Sequence, residues 1–245
     1  MPEDPIPVVF IVDDDTSVRE SLRLLVESEG WRAEVFESAS QFLLRESDAD
    51  LPHCLVLDVV LPDLNGCDVQ ALLVDRTALP IIFITGHGDV QTTVRAMKAG
   101  AVEFFVKPFP DEAILSSIRH ALARSEEALA EAAALQVLRD RYSLLSARER
   151  EVMTLVVWGK LNKQVGFELG INEATVKAHR GQMMRKMEAT SVCDLVRIAA
   201  QLGVDALPSE GNSAVGAFRV AKPRRTFLNL ASYAPWSSPV MRKTS

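Results

Sequence analysis

Cysteine is scarce in this chain of 245 residues, and the three that occur are widely spaced. They are Cys54, Cys67 and Cys193. An odd number of distant cysteines forms neither a disulfide framework nor a metal-ligand cluster. We therefore expect a protein of a reducing compartment, the cytoplasm.

Long apolar runs are also missing, although 48% of the residues are hydrophobic. No run approaches the roughly 18–20 residues of a membrane-spanning helix, so we expect no membrane segment. The N-terminal sequence MPEDP has no basic stretch, so a secretory signal is not expected either. The charged fraction of 24% indicates a globular protein, and the length indicates two domains or one large domain.

The net charge of -6 is unevenly distributed along the chain. Residues 1–124 have a net charge of -11, residues 141–205 of +3 and residues 206–245 of +5. An acidic first half and a basic second half favour cation or phosphate chemistry first and nucleic-acid binding second. The alternative is that the surplus carboxylates serve solubility.

Five short apolar runs alternate with helix-period segments in the first half. The clearest helical segments are 16–29 and 90–99, each followed by a glycine. Apolar strands that alternate with helices predict an α/β domain with a five-stranded, doubly wound parallel sheet. The predicted strands are 8–12, 33–36, 54–57, 81–85 and 104–106.

Polar side chains follow the predicted strands at the edge where ligands bind in such sheets. The first strand ends in Asp13-Asp14-Asp15, the third in Asp58, the fourth in Thr85 and the fifth in Lys107. Clustered carboxylates need a cation, and oxygen ligands suit Mg²⁺. A nucleophilic aspartate beside Mg²⁺ and a lysine can accept a phosphoryl group. Each residue alone has a simpler interpretation as a helix cap or a turn.

Several short motifs in this half resemble the receiver domain of two-component response regulators, and residues 7–124 are similar to it throughout. They are VDDD (12–15), LVLD (55–58), ITGHGD (84–89), AMKAGA (96–101) and KPF (107–109). The stretch TGHGD is particularly similar to FixJ-like regulators. The resemblance implies a flavodoxin-like fold and phosphorylation by a sensor histidine kinase.

The resemblance also implies the role of each site residue. Asp58 is the phosphoacceptor, and Asp13 and Asp14 bind Mg²⁺ together with Asp58 and the backbone carbonyl of Val60. Asp15 is expected to face the following helix rather than the metal. Val60 departs from the arginine that is usual after the phosphoacceptor, but a carbonyl ligand does not depend on the side chain.

Two further residues are implied to bind the phosphoryl group, and one of them has a second role. Thr85 hydrogen-bonds one phosphoryl oxygen and Lys107 pairs with another. Thr85 and Phe104 form the conformational switch, and the peptide bond between Lys107 and Pro108 is expected to be cis.

The second half begins with a long helical segment and continues as four predicted helices. Residues 111–140 contain no helix breaker, and we interpret 125–140 as a solvated linker helix, with a dimerising coiled coil as the alternative. Ser146 and Glu149 form a capping box for the next helix. Gly159 ends that helix, and helices follow at 162–169, 172–187 and 191–202. A short helix, a turn and a basic helix are typical of a helix-turn-helix.

Three motifs at 141–205 closely resemble the LuxR-type DNA-binding domain: LSAREREV (145–152), NK (162–163) and TVKAHR (175–180). The resemblance implies that the helix from 172 enters the major groove. The residues expected at the DNA are Lys163, Thr175, Lys177, His179, Arg180, Gln182, Arg185 and Lys186. Among these, Lys177, Arg180 and Gln182 are the expected base readers. For His179, a role as a packed helix residue and a role as a base reader are about equally expected.

Together these features predict a regulator rather than an enzyme, with magnesium-dependent self-phosphotransfer and self-dephosphorylation as its sole chemistry. The expected partners are a sensor histidine kinase, promoter DNA, RNA polymerase and a second copy of the chain after phosphorylation. Residues 206–245 are interpreted as a flexible basic tail.

Two other protein classes share part of these features. A haloacid-dehalogenase-like phosphatase would share the strand-end aspartates but leave Asp58 and the basic half unexplained. A quorum-sensing LuxR protein would share only the C-terminal half.

Overall fold

A computed structural model describes residues 6–45, 51–73, 79–86, 88 and 90–204. The first half alternates strands and helices, as predicted. Its elements are β1 (Val8–Val12), α1 (Thr16–Ser28), β2 (Arg32–Phe36), α2 (Ala39–Leu44), β3 (His53–Asp58), α3 (Gly66–Leu72), β4 (Ile81–Thr85), α4 (Val90–Lys98) and β5 (Glu103–Val106). Then follow α5 (Asp111–Ser143), α6 (Ala147–Val157), α7 (Asn162–Leu169), α8 (Glu173–Lys186) and α9 (Val192–Gln201).

The five strands form one parallel sheet in the order β2-β1-β3-β4-β5. Every residue of the three inner strands is buried, whereas the two edge strands are partly exposed. Inner strands of a parallel sheet are covered on both faces, which is why their sequences are continuous apolar runs. The predicted α/β fold is confirmed.

Two apolar clusters cover the two faces of the sheet. Alternate residues of β1 point to opposite clusters, with Phe10 in one and Ile11 in the other. Helices α2, α3 and α4 pack on the first face, while α1 and the beginning of α5 pack on the second. The carboxyl ends of the strands form an edge of the sheet that lies between the helices of its two faces.

Helix α5 has 33 residues and connects the two halves without a break. At about 1.5 Å per residue it is about 50 Å long. Its first turns pack on the sheet through Ile114 and Ile118, and its last turn contributes Tyr142 to the core of the second half. Ser125 is buried, and its hydroxyl accepts a hydrogen bond of 3.0 Å from the N–H of His53.

Helices α6 to α9 enclose a separate core that includes Val152, Val165, Val176 and Met183. The capping box predicted at Ser146 and Glu149 is present. The all-α second domain with four helices is therefore confirmed. The domain limits 1–124, 125–140 and 141–205 stay predictions, and the tail interpreted at 206–245 lies outside the described residues.

The observed elements differ from the predicted ones mainly at their ends. Strands β2, β3 and β5 begin one residue earlier than predicted, and β3 includes Asp58. The short helices α2 and α3 were not predicted individually, because six or seven residues show too little periodicity. Ser125, a polar residue at the start of the predicted linker, makes a buried contact to the sheet.

Candidate functional site

Four predicted site residues lie together at the carboxyl edge of the sheet. Asp13 follows β1, Asp58 ends β3, Thr85 ends β4 and Lys107 follows β5. Parallel strands end at the same edge, so residues from distant parts of the chain meet there. The Lys107 Nζ atom lies 2.5 Å from Asp13 Oδ2 and 2.6 Å from Asp58 Oδ2.

The backbone around these carboxylates fixes their orientation. The second oxygen of Asp58 accepts a hydrogen bond of 2.8 Å from the N–H of Val60. The second oxygen of Asp13 accepts one of 2.9 Å from the N–H of Asp15. Both aspartates are buried, and the Lys107 side chain is one-fifth exposed. A rigid pair of carboxylates therefore faces a single ammonium group.

Burial and ion pairing act in opposite directions on these groups. Burial raises the pKa of Asp13 above its usual value of 3.8, although the hydrogen bonds from Lys107 and Asp15 oppose this. For Lys107, burial would lower the pKa, but its contacts with Asp13 and Asp58 outweigh it and raise the pKa above 10.5. Lys107 therefore remains an ammonium at neutral pH and can neutralise an added phosphoryl oxygen.

The carboxylates also suit a metal ion. Asp13, Asp14 and Asp58 each place a carboxylate oxygen within 4.8 Å of the other two. Two of these residues are buried and Asp14 is exposed, which leaves one open side. Three converging carboxylate oxygens are the ligands that hard divalent cations such as Mg²⁺ prefer. Val60, the predicted carbonyl ligand, forms an isolated β-bridge with Asn65 in the same loop.

The third aspartate of the run has a different task, in agreement with its interpretation. Asp15 is the N-cap of α1, and its carboxylate accepts a hydrogen bond of 2.8 Å from the N–H of Ser17. Hydrogen bonds from Ser17 lower the pKa of Asp15 below its usual value. A capping carboxylate is already oriented toward the helix, so it does not join the cluster of three carboxylate oxygens.

The two predicted switch residues lie beside the same edge. The Thr85 side chain is buried, and its backbone carbonyl accepts a hydrogen bond of 2.7 Å from the N–H of Lys107. Phe104 is half-buried, with its ring centre 6.2 Å from that of Phe83. The peptide bond between Lys107 and Pro108 is cis, as expected. The switch role of Thr85 and Phe104 stays a prediction.

Two residues that the sequence analysis missed hold loops beside the site. Asp63 accepts hydrogen bonds of 3.3 Å from the N–H of Ala39 and 2.8 Å from that of Ser40, and thereby ties the loop after Asp58 to α2. Arg19 donates a hydrogen bond of 2.6 Å to the carbonyl of Asp13. The Asp63 contacts join segments more than 20 residues apart, so no local sequence pattern indicates them. The Arg19 contact spans six residues and depends on the geometry of the β1–α1 turn.

The second candidate site is the helix pair α7 and α8. The turn between them contains Gly170, whose φ of 64° is left-handed. Within α7, a Cβ on Gly166 would lie 2.7 Å from the carbonyl of Ile171, so the turn packs closely on that helix. Asn172 caps α8 by accepting a hydrogen bond of 2.8 Å from the N–H of Thr175. This is the geometry of a helix-turn-helix.

Most predicted DNA-contacting residues are exposed or half-buried on this pair. Lys163, Lys177, Gln182 and Arg185 are exposed, and Thr175 and His179 are half-buried. Arg180 is also half-buried, and its guanidinium donates a hydrogen bond of 2.9 Å to the side chain of Asn162 on α7. Lys177 and Gln182 are therefore the more accessible of the three expected base readers.

Lys186 is engaged within its own domain. Its Nζ atom lies 2.7 Å from a carboxylate oxygen of Glu149 and 3.1 Å from the carbonyl of Leu144. The Glu149 side chain is buried, so this pair joins the end of α8 to the beginning of α6. A DNA contact by Lys186 would have to be made by the same ammonium group.

Comparison with known proteins decides the family. Residues 9–119 match the model of the response regulator receiver domain, and residues 143–199 match that of bacterial regulatory proteins of the luxR family. Response regulator protein TodT of Pseudomonas putida is 46% identical over 196 residues, which are 80% of this chain and 86% of that protein. The chain belongs to the response regulators.

Other relatives of this response regulator agree. Transcriptional regulatory protein FixJ of Azorhizobium caulinodans is 42% identical over 209 residues, which are 82% of this chain and 97% of that protein. The solved structure of response regulator StyR is 43% identical, covers 80% of this chain and 99% of StyR, and superposes with a TM-score of 0.70. The chain is a two-component transcription regulator, and the phosphatase and quorum-sensing alternatives have no support.

None of the helices in the described part of the chain is both long enough and apolar enough to cross a bilayer.

Proposed function

We propose that a sensor histidine kinase phosphorylates this response regulator on Asp58. The supporting observation is the single ammonium group of Lys107 held between the carboxylates of Asp13 and Asp58. A carboxylate oxygen of Asp58 attacks phosphorus, the P–N bond of the kinase phosphohistidine breaks, and the imidazole nitrogen keeps the electron pair. The product is an acyl phosphate, which water later hydrolyses.

The neighbouring side chains divide the work of stabilising the phosphoryl group. Asp13, Asp14, Asp58 and the carbonyl of Val60 would hold Mg²⁺, which neutralises charge on the phosphoryl oxygens when bound. The ammonium of Lys107 is within hydrogen-bonding distance of the Asp58 oxygen and so within reach of a group attached there. The hydroxyl of Thr85 would hydrogen-bond another phosphoryl oxygen. A change in the positions of Thr85 and Phe104 would then alter the adjacent protein surface.

That surface comprises α4 and β5 and includes exposed apolar side chains. They are Val90, Val94, Met97 and Val106. Exposed apolar groups clustered on one face favour contact with another protein. The receiver would therefore dimerise through this face after phosphorylation, and two copies of α8 would bind two half-sites of promoter DNA.

The remaining expectations follow from the DNA target. Residues Lys163, Thr175, Lys177, His179, Arg180, Gln182, Arg185 and Lys186 would form the DNA contact. Promoter DNA lies in the cytoplasm of a bacterium, so the protein would act there. RNA polymerase is the expected downstream partner, because a regulator bound at a promoter acts on the enzyme that starts transcription there.

Labelling with acetyl phosphate and Mg²⁺ tests the phosphoacceptor. Wild type should gain one acid-labile phosphate, and Asp58→Asn should gain none, because the amide lacks the nucleophilic carboxylate. Asp15→Asn is the matched control, since asparagine caps a helix as well as aspartate and the variant should label normally. Chelation of Mg²⁺ should stop labelling. Phosphate uptake by Asp58→Asn would refute the assignment.

A further inference from the structure

Arg19 links α1 to the turn in which the predicted metal ligands lie. Its Nη1 atom donates a hydrogen bond of 2.6 Å to the backbone carbonyl of Asp13, and its Nη2 atom donates one of 2.9 Å to the hydroxyl of Thr16. The two contacts lie on either side of the β1–α1 turn. A planar guanidinium offers such donors in a fixed fork, which a lysine ammonium cannot reproduce.

The carbonyl that Arg19 holds belongs to the peptide group between Asp13 and Asp14. Asp13 is further fixed by its carboxylate contacts with Asp15 and Lys107. Asp14 is exposed, and no hydrogen bond to its carboxylate occurs among the residues that the structure describes. The position of Asp14 therefore depends on the orientation of the peptide before it.

The other end of Arg19 is rigid. Its backbone N–H donates a hydrogen bond of 3.0 Å to the carbonyl of Asp15, in the first turn of α1. The same helix buries Leu22 and Val26 against the sheet. A helix packed on the sheet thus holds the peptide group between the first two aspartates.

We propose that Arg19 is a positioning residue that orients Asp13 and Asp14 for a divalent cation. The proposal rests on the proposed function of these aspartates as metal ligands. Removal of a residue that hydrogen-bonds to a metal ligand commonly lowers metal affinity by about 10- to 100-fold. A positive charge near a cation site would by itself weaken cation binding, so positioning and charge predict opposite effects of removing Arg19.

Mn²⁺ binding to the full chain, measured as free Mn²⁺ by electron paramagnetic resonance, tests the proposal, with Mg²⁺ as competitor. Arg19→Gln and Arg19→Lys should each weaken Mn²⁺ binding by about tenfold. Arg23→Gln is the matched control: Arg23 lies one turn further along α1 and pairs with Glu20 and Glu27. Because Arg23 is half-buried and its charge is already paired with two carboxylates, Arg23→Gln should change the affinity by less than about twofold.

The outcomes distinguish a failure of the positioning role of Arg19 from a failure of the proposed metal site. Tighter binding by Arg19→Gln, with Arg19→Lys equal to wild type, would show that only charge matters and would overturn the positioning role. Wild-type affinity in both variants would overturn it as well. If wild type binds no Mn²⁺, or if Asp13→Asn binds it unchanged, the proposed metal site itself is wrong. Thermal unfolding in chelator checks the fold, and Arg19→Lys decides the result if Arg19→Gln fails to fold.

Discussion

At the scale of single residues, Glu149 shows how one buried carboxylate stabilises the DNA-binding domain. It is 1% exposed, accepts a hydrogen bond of 2.8 Å from the N–H of Ser146, and pairs with Lys186. Burial alone would raise its pKa, but the contacts with Lys186 and Ser146 outweigh burial and hold the pKa below its usual value of 4.5. The charged form is therefore the one that the fold favours.

Glu149→Gln should destabilise the DNA-binding domain by about 1–3 kcal/mol at neutral pH, because a buried charged hydrogen bond is lost. The pKa of Glu149 is lower in the folded than in the unfolded protein. Its stabilisation is thus fully present above pH 4.5 and is lost as pH falls through the lower folded pKa. Calorimetric melting of wild type and variant should converge in acid. A difference that stays constant with pH would contradict this account.

Gly66 is the second residue with a structural role, because it lies against the backbone of Asp58. A Cβ at Gly66 would lie 2.6 Å from the carbonyl of Asp58. Gly66→Ala should therefore cost about 1–3 kcal/mol and slow labelling by acetyl phosphate. A Cβ at Gly86 meets no atom within 4 Å, so Gly86→Ala is the control for stability. Equal melting temperatures of the two variants would show that the loop yields easily.

At the scale of elements, α8 has distinct faces. Val176 and Met183 are buried against the domain core, while Lys177 and Gln182 are exposed. Arg180 lies between these extremes, since its guanidinium is bound to Asn162. The helix can thus contact DNA without losing its packing.

Lys177→Ala should weaken binding to the target promoter. If Lys177 reads a base, the loss is about 1–3 kcal/mol and confined to one position of the site; if it contacts phosphate, all sequences lose equally and the salt dependence becomes shallower. Arg180→Ala should have a similar effect and also free Asn162. Arg197→Ala on α9 is the control, since Arg197 is exposed and pairs with Asp194. Wild-type affinity in both α8 variants would contradict the recognition helix.

At the scale of the whole molecule, one continuous helix connects the two functional halves. Helix α5 is anchored on the sheet through Ser125 and in the second core through Tyr142. Its end is further held by an ion pair between Arg141 and Glu188. Helix α5 is thus held by side-chain contacts in both domains.

Beryllofluoride, which mimics the phosphoryl group, should raise the dimer fraction of the full chain in sedimentation and tighten DNA binding, because two linked half-sites raise the effective concentration. Val90→Glu should abolish this, since Val90 is 78% exposed on the α4–β5 face. Leu24→Glu is the control, as Leu24 is 59% exposed on α1. Tighter DNA binding without a change of mass would favour the rival mechanism, release of a masked recognition helix.

Much of the site was predictable because of the way parallel sheets are built. A strand that ends in an acid, a hydroxyl or a lysine places that group at a known edge, so Asp13, Asp58, Thr85 and Lys107 could be grouped from the sequence. The capping box at Ser146 and Glu149 and the helix end at Gly159 were equally local. Individual hydrogen bonds between distant segments were not predictable, and the contact between Asp63 and α2 is one example.

The amino-acid sequence by itself determined the fold class, the two-domain order and the set of reactive side chains, because apolar periodicity, caps and strand-end residues are local properties. Only the tertiary structure decided how those side chains are held. It shows Lys107 between two carboxylates, Arg19 on the carbonyl of Asp13, and Lys186 on Glu149. The pairings of Lys107 and Lys186 join segments that are remote in the chain, so packing sets their distances. The contact of Arg19 depends on the geometry of the β1–α1 turn.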